Sequence, residues 1–205
     1  MIKIISILSL TIATHAHSFS KLVPASGSYV KVMVPYTLGE HKITSEEIQG
    51  NVAFDKDKNL VKQGELILPV KSLRHDKTEL ICHLQESLTL DYDKSDFPDE
   101  HVCKDDELPI EGKNAPAFKN IGASLIEPFK LGSVTVPVRW TIHGVTKDLF
   151  VELHSSWDAE ISKLIIRGET KFQRSDFNIT VKKFLFIGVE EVIPVSFNII
   201  LGDNK

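Results

Sequence analysis

The stretch that decides the fold is VTVPVRWTIHGVTKDLFVEL, residues 134–153. Its apolar and polar residues alternate, which is typical of half-buried β-strands because successive side chains point to opposite faces. One face collects the apolar residues Val134, Val136, Val138, Trp140 and Ile142, and then Leu149, Val151 and Leu153. His143-Gly144 separates the two runs, and we expect it to start a hairpin turn. The stretch therefore predicts two antiparallel strands that share one buried face.

The same period of two recurs on both sides of this hairpin, with turn residues between the segments, as in Asp55-Lys-Asp-Lys-Asn59. Further apolar faces are formed by Val30, Val32, Val34 and Tyr36, by Leu66, Leu68 and Val70, by Leu164, Ile166 and Phe172, and by Ile193, Val195, Phe197, Ile199 and Leu201. We count about eight strands and predict an all-β fold. An antiparallel sheet of this size buries its apolar face by closing into a barrel, whose interior is nearly filled or holds one small ligand.

One segment breaks the strand pattern. Leu80, Leu84 and Leu88 recur every four residues, which predicts a short helix. The following residues 91–116 are rich in Asp, Lys, Pro and Gly, and we interpret them as a long loop at one end of the barrel. Such a loop would act as a plug or as a lid.

The first sixteen residues predict export. A basic start at Lys3 precedes an apolar run and the small residues before Ala16, which is the order of a cleavable signal peptide. We expect residues 17–205 to form a single domain. No apolar run reaches the roughly 20 residues of a transmembrane helix. The net charge of −4 gives no reason to expect a nucleic-acid partner. Binding of nucleic acid requires a surface with clustered basic residues.

The chain has two cysteines, Cys82 and Cys103. In an oxidising compartment an even count favours a disulfide, which would stabilise the fold by roughly 3 kcal/mol for a loop of this length. Two alternatives stay open at this point. Cys82 and Cys103 with the neighbouring His83 and His101 offer the ligand set of a structural zinc site, or both thiols are free.

No motif in the sequence indicates catalysis. We find no G-x-S-x-G, H-E-x-x-H, P-loop, G-x-G-x-x-G or C-x-x-C pattern, so we expect no enzyme activity, no cofactor and no metal. We interpret His143 and Gly144 as turn residues. Arg174 and Asp176 are expected to form a charge-assisted pair that ties down a strand end. The alternative is that Arg174 contacts a ligand headgroup at the barrel mouth.

Two phrases resemble the YceI-like family of exported lipid-binding proteins. They are WTIHGVT at residues 140–146 and FQRSDFN at residues 172–178, about thirty residues further on. The resemblance is clearest over residues 136–201. Two departures from the family pattern are present: the usual polar Arg-Asp pair is missing, with residues 79–82 in its place, and Asn178 stands where a glycine is usual. The cysteine pair and the extended segment 91–116 indicate a divergent branch. Asn tolerates a left-handed backbone, so the turn can be kept.

The resemblance implies a lipocalin-like, extended antiparallel barrel whose apolar tunnel holds an isoprenoid or a similar chain. It also implies a secreted protein of the bacterial periplasm. Small residues on the inward face, Gly168 and Thr170, are expected to leave room for the chain. The side chains that we predict to bind the lipid are Val32, Val34, Leu66, Leu68, Val136, Val138, Trp140, Val151, Leu153, Phe172, Phe197 and Ile199.

We therefore expect a lipid or amphiphile as the partner, held for carriage or sequestration, and a homodimer stays open. Two other classes of protein fit the same sequence. One is a structural or stress-response envelope protein with a filled barrel and a protein partner. The other is an enzyme that acts on a lipid beneath the loop between Cys82 and Cys103.

Overall fold

The computed structural model describes residues 20–89, 118–181 and 188–203. The predicted signal peptide, residues 1–16, and the predicted loop, residues 91–116, lie outside these ranges. The described residues form one helix, α1 (Thr78–Thr89), two 3-10 turns (Val70–Ser72 and Arg174–Phe177), and the strands β1 (Ser20–Pro24), β2 (Tyr29–Tyr36), β3 (Gly39–Ser45), β4 (Gln49–Asp55), β5 (Leu60–Pro69), β6 (Asn120–Leu125), β7 (Phe129–Lys130), β8 (Gly132–Ile142), β9 (Val145–Asp158), β10 (Lys163–Gln173) and β11 (Val192–Asp203).

Eight of these strands close into an antiparallel barrel. Going around the ring, the order is β1, β4, β5, β6, β8, β9, β10 and β11, and β11 pairs back to β1. The remaining strands are additions: β7 pairs with the start of β5, and β2 and β3 continue the sheet next to β11. The predicted lipocalin-like barrel of about eight strands is confirmed. Closure removes the free edges that an open sheet would expose.

The first hairpin runs the full height of the barrel. Strands β1 and β2 are consecutive parts of one arm, since β11 pairs with both of them, Leu22 opposite Asp203 and Val32 opposite Val195. Strands β3 and β4 form the other arm, with Ile43 opposite Val32. Each arm is interrupted midway by a short irregular segment, residues 25–28 in the first arm and residues 46–48 in the second.

The hairpin predicted from residues 134–153 is present. Ile142 pairs with Val145, and His143 and Gly144 form the two-residue turn between β8 and β9. Both have positive φ angles, 51° and 74°, as a turn of type I′ requires because its twist matches that of the strands. At Gly144 a Cβ would lie 2.6 Å from the ring of Phe118, so this position also excludes a side chain.

The two ends of the barrel are closed differently. We call the end that carries the β4–β5 and β9–β10 turns the base, and the opposite end, next to α1, the mouth. At the base, fully buried side chains pack against one another: Leu22, Phe54, Val61, Leu164 and Leu201. Phe54 stacks on Trp157 with ring centroids 5.3 Å apart. The base is therefore a solid hydrophobic core.

Helix α1, which the spacing of its leucines predicts, lies at the mouth. Leu88 is buried against Val70, Leu73 and Phe177 in a second apolar cluster. The 3-10 turn that contains Phe177 follows β10, where β10 no longer pairs with β9. The turn thus fills the wall of the barrel where the strands separate.

None of the helices in the described part of the chain is long and apolar enough to cross a membrane.

Candidate ligand cavity

The barrel interior above the base is a cavity of about 1000 Å³. That volume is at the upper end of the roughly 300–1,000 Å³ that is usual for small-molecule sites. Its floor is formed by Val52, Val61 and Phe129, which belong to the core of the base. Its walls come from almost every strand and from α1, and they are predominantly aliphatic and aromatic. Such a container favours a ligand with a long apolar part.

Eleven of the twelve side chains predicted to bind lipid line this cavity. They are Val32, Val34, Leu66, Leu68, Val138, Trp140, Val151, Leu153, Phe172, Phe197 and Ile199. Val136 does not line it; this residue is 5% exposed and packs into the core of the base. The alternation along β8 correctly predicts that Val136 points into the barrel. It does not predict whether Val136 lies beside the cavity or in the core of the base, because that depends on where the core ends along the barrel axis. That these side chains bind lipid stays a prediction.

The structure brings further side chains into the cavity wall. Tyr36 follows from the period-two pattern of β2, and Leu80 and Leu84 follow from the helical stripe of α1, whereas Ile43 of β3 belongs to no predicted strand. Lys77, which also lines the cavity, has no such signal in the sequence. Its position depends on how the segment before α1 folds across the mouth.

The expected role of Gly168 and Thr170 is wrong. A Cβ at Gly168 would lie 2.5 Å from the ring of Phe197 and 2.7 Å from Leu153, so side chains of the neighbouring strands already occupy the space above this glycine. Thr170 donates its hydroxyl hydrogen bond to the Phe150 carbonyl at 3.2 Å. Neither residue lines the cavity.

The expected pair of Arg174 with Asp176 is also wrong. Asp176 accepts a hydrogen bond from Lys147 at 2.9 Å. Arg174 donates to the Ile179 carbonyl at 3.1 Å and lies 3.3 Å from Glu191. Arg174 still ties down a strand end, because Glu191 directly precedes β11, but it does so through a partner fifteen residues further along the chain than expected.

His143 is a structural turn residue, as predicted. Its Nδ1 lies 3.2 Å from the Phe177 carbonyl oxygen, and its ring meets Phe118 edge to face with centroids 4.7 Å apart. These contacts join the β8–β9 turn to the 3-10 turn after β10. Both motifs, residues 140–146 and 172–178, therefore contact each other and stabilise the mouth.

The mouth carries a group of aromatic and cationic side chains. Tyr36 and His41 stack with centroids 4.3 Å apart and planes inclined by 8°. His75 meets His41 edge to face at 5.2 Å. Burial lowers the pKa of His41, and the nearby His75 and Lys77 lower it further. Both effects disfavour the charged form of the His41 imidazole.

Helix α1 contributes one buried carboxylate to the cavity wall. The Glu86 side chain is 4% exposed and lies 3.5 Å from His83 Nδ1. Cys82 is buried one turn earlier on the same helix. The predicted disulfide stays a prediction, because Cys103 lies outside the described residues. Within those residues, no three His, Cys, Asp or Glu side chains are grouped so that they could hold a metal ion.

The indole N–H of Trp140 is a potential hydrogen-bond donor in the cavity wall. Trp140 lines the cavity with its ring, yet its indole nitrogen is itself buried and has no partner among the described residues. The polar side chains that line the cavity lie on α1 and around the mouth, among them Tyr36, His41 and Glu86.

Comparison with known proteins identifies one matching family model, the YceI-like domain, over residues 21–201. No curated protein matches the chain. Solved structures of similar fold include a polyisoprenoid binding domain from Saccharophagus degradans implicated in plant cell wall breakdown, with 8% identity and a TM-score of 0.59 over 91% of this chain and 100% of that one.

Two further structures of similar fold have comparable scores. Burkholderia cenocepacia BcnA has 12% identity and a TM-score of 0.60 over 84% of this chain and 95% of that one. The Campylobacter jejuni YceI protein has 14% identity and a TM-score of 0.58 over 82% of this chain and 88% of that one. At these identities the likeness concerns the fold.

Proposed function

The chain belongs to the YceI-like domain family, and we propose that it is an exported lipid-binding protein. In this proposal it carries or sequesters one long apolar chain, polyisoprenoid-like or fatty, inside the barrel. The observation that carries the proposal is the apolar cavity of about 1000 Å³ above a solid base. A filled barrel with a structural role would need side chains in that space.

The driving force for such binding is burial of hydrocarbon. Each methylene group that moves from water into the cavity contributes about 0.8 kcal/mol. A tail of a dozen carbons therefore offsets the cost of association without a charged anchor. The name of the Saccharophagus degradans domain supports a polyisoprenoid as one candidate for the tail.

The proposal includes the cellular setting. Residues 1–16 would direct export to the bacterial periplasm and then be removed. In that oxidising compartment Cys82 and Cys103 would form a disulfide, which would link the first half of α1 to the segment that follows the helix. Titration of thiols in denatured protein tests this part: two free thiols before reduction would exclude the disulfide.

Binding rather than catalysis is the proposed activity, and the bound lipid is the ligand rather than a cofactor. The experiment is native mass spectrometry of protein purified from its own envelope fraction, followed by organic extraction. We expect one prenyl or acyl species per chain. Protein that is repeatedly empty and takes up no added lipid would contradict the proposal. The same spectra report whether the protein is a homodimer.

A matched pair of variants locates the ligand. Val138→Trp places a large ring inside the cavity, whereas Thr135→Trp places the same ring on the exposed outer face of the same strand. We expect Val138→Trp to lose affinity for prenols and fatty alcohols by about tenfold or more for long chains and less for short ones, since a shortened cavity buries fewer methylenes. Thr135→Trp should bind like the wild type. Equal binding by both variants would place the ligand elsewhere.

A further inference from the structure

Polar side chains interrupt the apolar wall at a single height of the cavity, the mouth. On β3, Ile43 and His41 occupy successive inward positions, opposite Val32 and Val34 of β2. His41 thus stands where the alternation of the strand calls for an apolar residue. Tyr36, which stacks on it, is the last inward residue of β2.

The charges that line the cavity are not balanced among the described residues. Arg174 is engaged by the Ile179 carbonyl and by Glu191. The carboxylate of Glu86 lies beside His83 and is almost fully buried. Lys77 also lines the cavity, but it is exposed and forms no ion pair within the described part of the chain.

Lys77 is held beside the aromatic group by the local backbone. Its N–H donates a 2.9 Å hydrogen bond to His75 Nδ1, and the His75 ring contacts His41. The Lys77 ammonium group, one ring N–H of His41 and the Tyr36 hydroxyl therefore supply hydrogen-bond donors at the entrance of an apolar cavity. Proximity of His75 and Lys77 makes a further positive charge at His41 unfavourable. A bound anion would relieve that repulsion.

We propose that Tyr36, His41 and Lys77 form a headgroup site for an anionic amphiphile, with a carboxylate or a phosphate monoester at the mouth and the tail in the cavity. This inference rests on the proposed binding of a tail. It adds that the preferred ligand carries a negative charge at one end. Charge-assisted hydrogen bonds at the mouth would fix which end of the chain enters the barrel first.

The experiment compares ligands that share a tail and differ in the headgroup. Hexadecanoic acid is paired with hexadecanol, and geranylgeranyl phosphate is paired with geranylgeraniol. Affinity is measured by displacement of Nile red, a neutral fluorescent probe, from the full mature chain. We expect at least one anion to bind about fivefold more tightly than its alcohol, the upper range for a partly exposed ion pair. The pair that shows the preference identifies the headgroup as carboxylate or phosphate.

Variants of Lys77 attribute the preference to the mouth. Lys77→Met should remove most of it, and Lys77→Arg should keep it because the charge is retained. Lys171→Met is the control: it removes the same charge from an exposed position on β10 that does not line the cavity, and the preference should persist. Since Lys77 is exposed, none of these changes disturbs the core.

The outcomes separate the two proposals. Equal binding of anions and alcohols by the wild type, or an unchanged preference in Lys77→Met, overturns the headgroup site and leaves tail binding intact. Failure of all four ligands to displace Nile red overturns the tail-binding function, and the headgroup site with it.

Discussion

The base and the mouth of this barrel are built from the same alternation of residues, yet one is solid and the other encloses space. At the base, aromatic and branched side chains from all around the ring meet at the axis, as Phe54 and Trp157 do. Toward the mouth, inward side chains of the same kinds line the cavity together with residues of α1. An inward apolar residue therefore stabilises the fold at one end and can contact a ligand at the other.

The largest expected effect comes from truncating matched leucines at the two ends. Leu164 is fully buried in the base, whereas Leu66 lines the cavity. Leu164→Ala should lower the free energy of unfolding by about 2–5 kcal/mol because it creates a new void, and Leu66→Ala by roughly half as much because it enlarges an existing one. Urea unfolding of lipid-free protein measures both. Equal losses would mean that the wall around Leu66 is packed as tightly as the base.

A smaller effect is expected at Gly168, whose neighbours Phe197 and Leu153 line the cavity. In Gly168→Ala the new methyl group would meet Phe197, Leu153 and the Glu152 carbonyl, the last at 2.9 Å. We expect a loss of about 1–3 kcal/mol from overpacking and weaker Nile red binding, since Phe197 and Leu153 can yield only into the cavity.

Gly64→Ala is the control for this change. Its methyl group would lie 3.4 Å from Val52, an ordinary contact, and it faces the cavity. Stability should change by less than about 0.5 kcal/mol. If both alanine variants behaved alike, close packing at Gly168 would not be what limits the cavity.

The smallest effect concerns acid stability at the base. Burial raises the pKa of Asp55, but the hydrogen bonds and charges of Lys62 and Lys58 lower it by more, so this pKa lies below its ordinary value. A carboxylate with a depressed pKa in the folded state stabilises the fold above its unfolded pKa of about 3.9 and loses this contribution as the pH falls through the folded value.

Asp55→Asn should therefore be less stable than the wild type at pH 7, and the difference should shrink as the pH falls below about 4. Urea unfolding at a series of pH values measures it. Asp57→Asn, an exposed change in the same turn, is the control and should show no such trend. A difference that stays constant down to low pH would show that the carboxylate contributes through packing and not through its charge.

The sequence was most informative where the chain is regular. The alternation over residues 134–153 predicts the β8–β9 hairpin and its turn, and the leucine spacing predicts α1, because each depends on neighbours in the chain. It failed at Gly168, at Val136 and in the partner of Arg174. Each of those depends on residues from other strands, whose height and distance no local pattern records.

By itself the sequence determined the approximate number of strands, the inward face of each predicted strand and the family. Period-two alternation and the two motifs at residues 140–146 and 172–178 are local properties of the chain. The tertiary structure alone decided that the interior is filled at the base and open above it, and that Lys77 stands beside His41 at the mouth. The physical reason is that closure of the ring sets how far inward side chains can reach across the axis, and that distance is a property of all eight strands together.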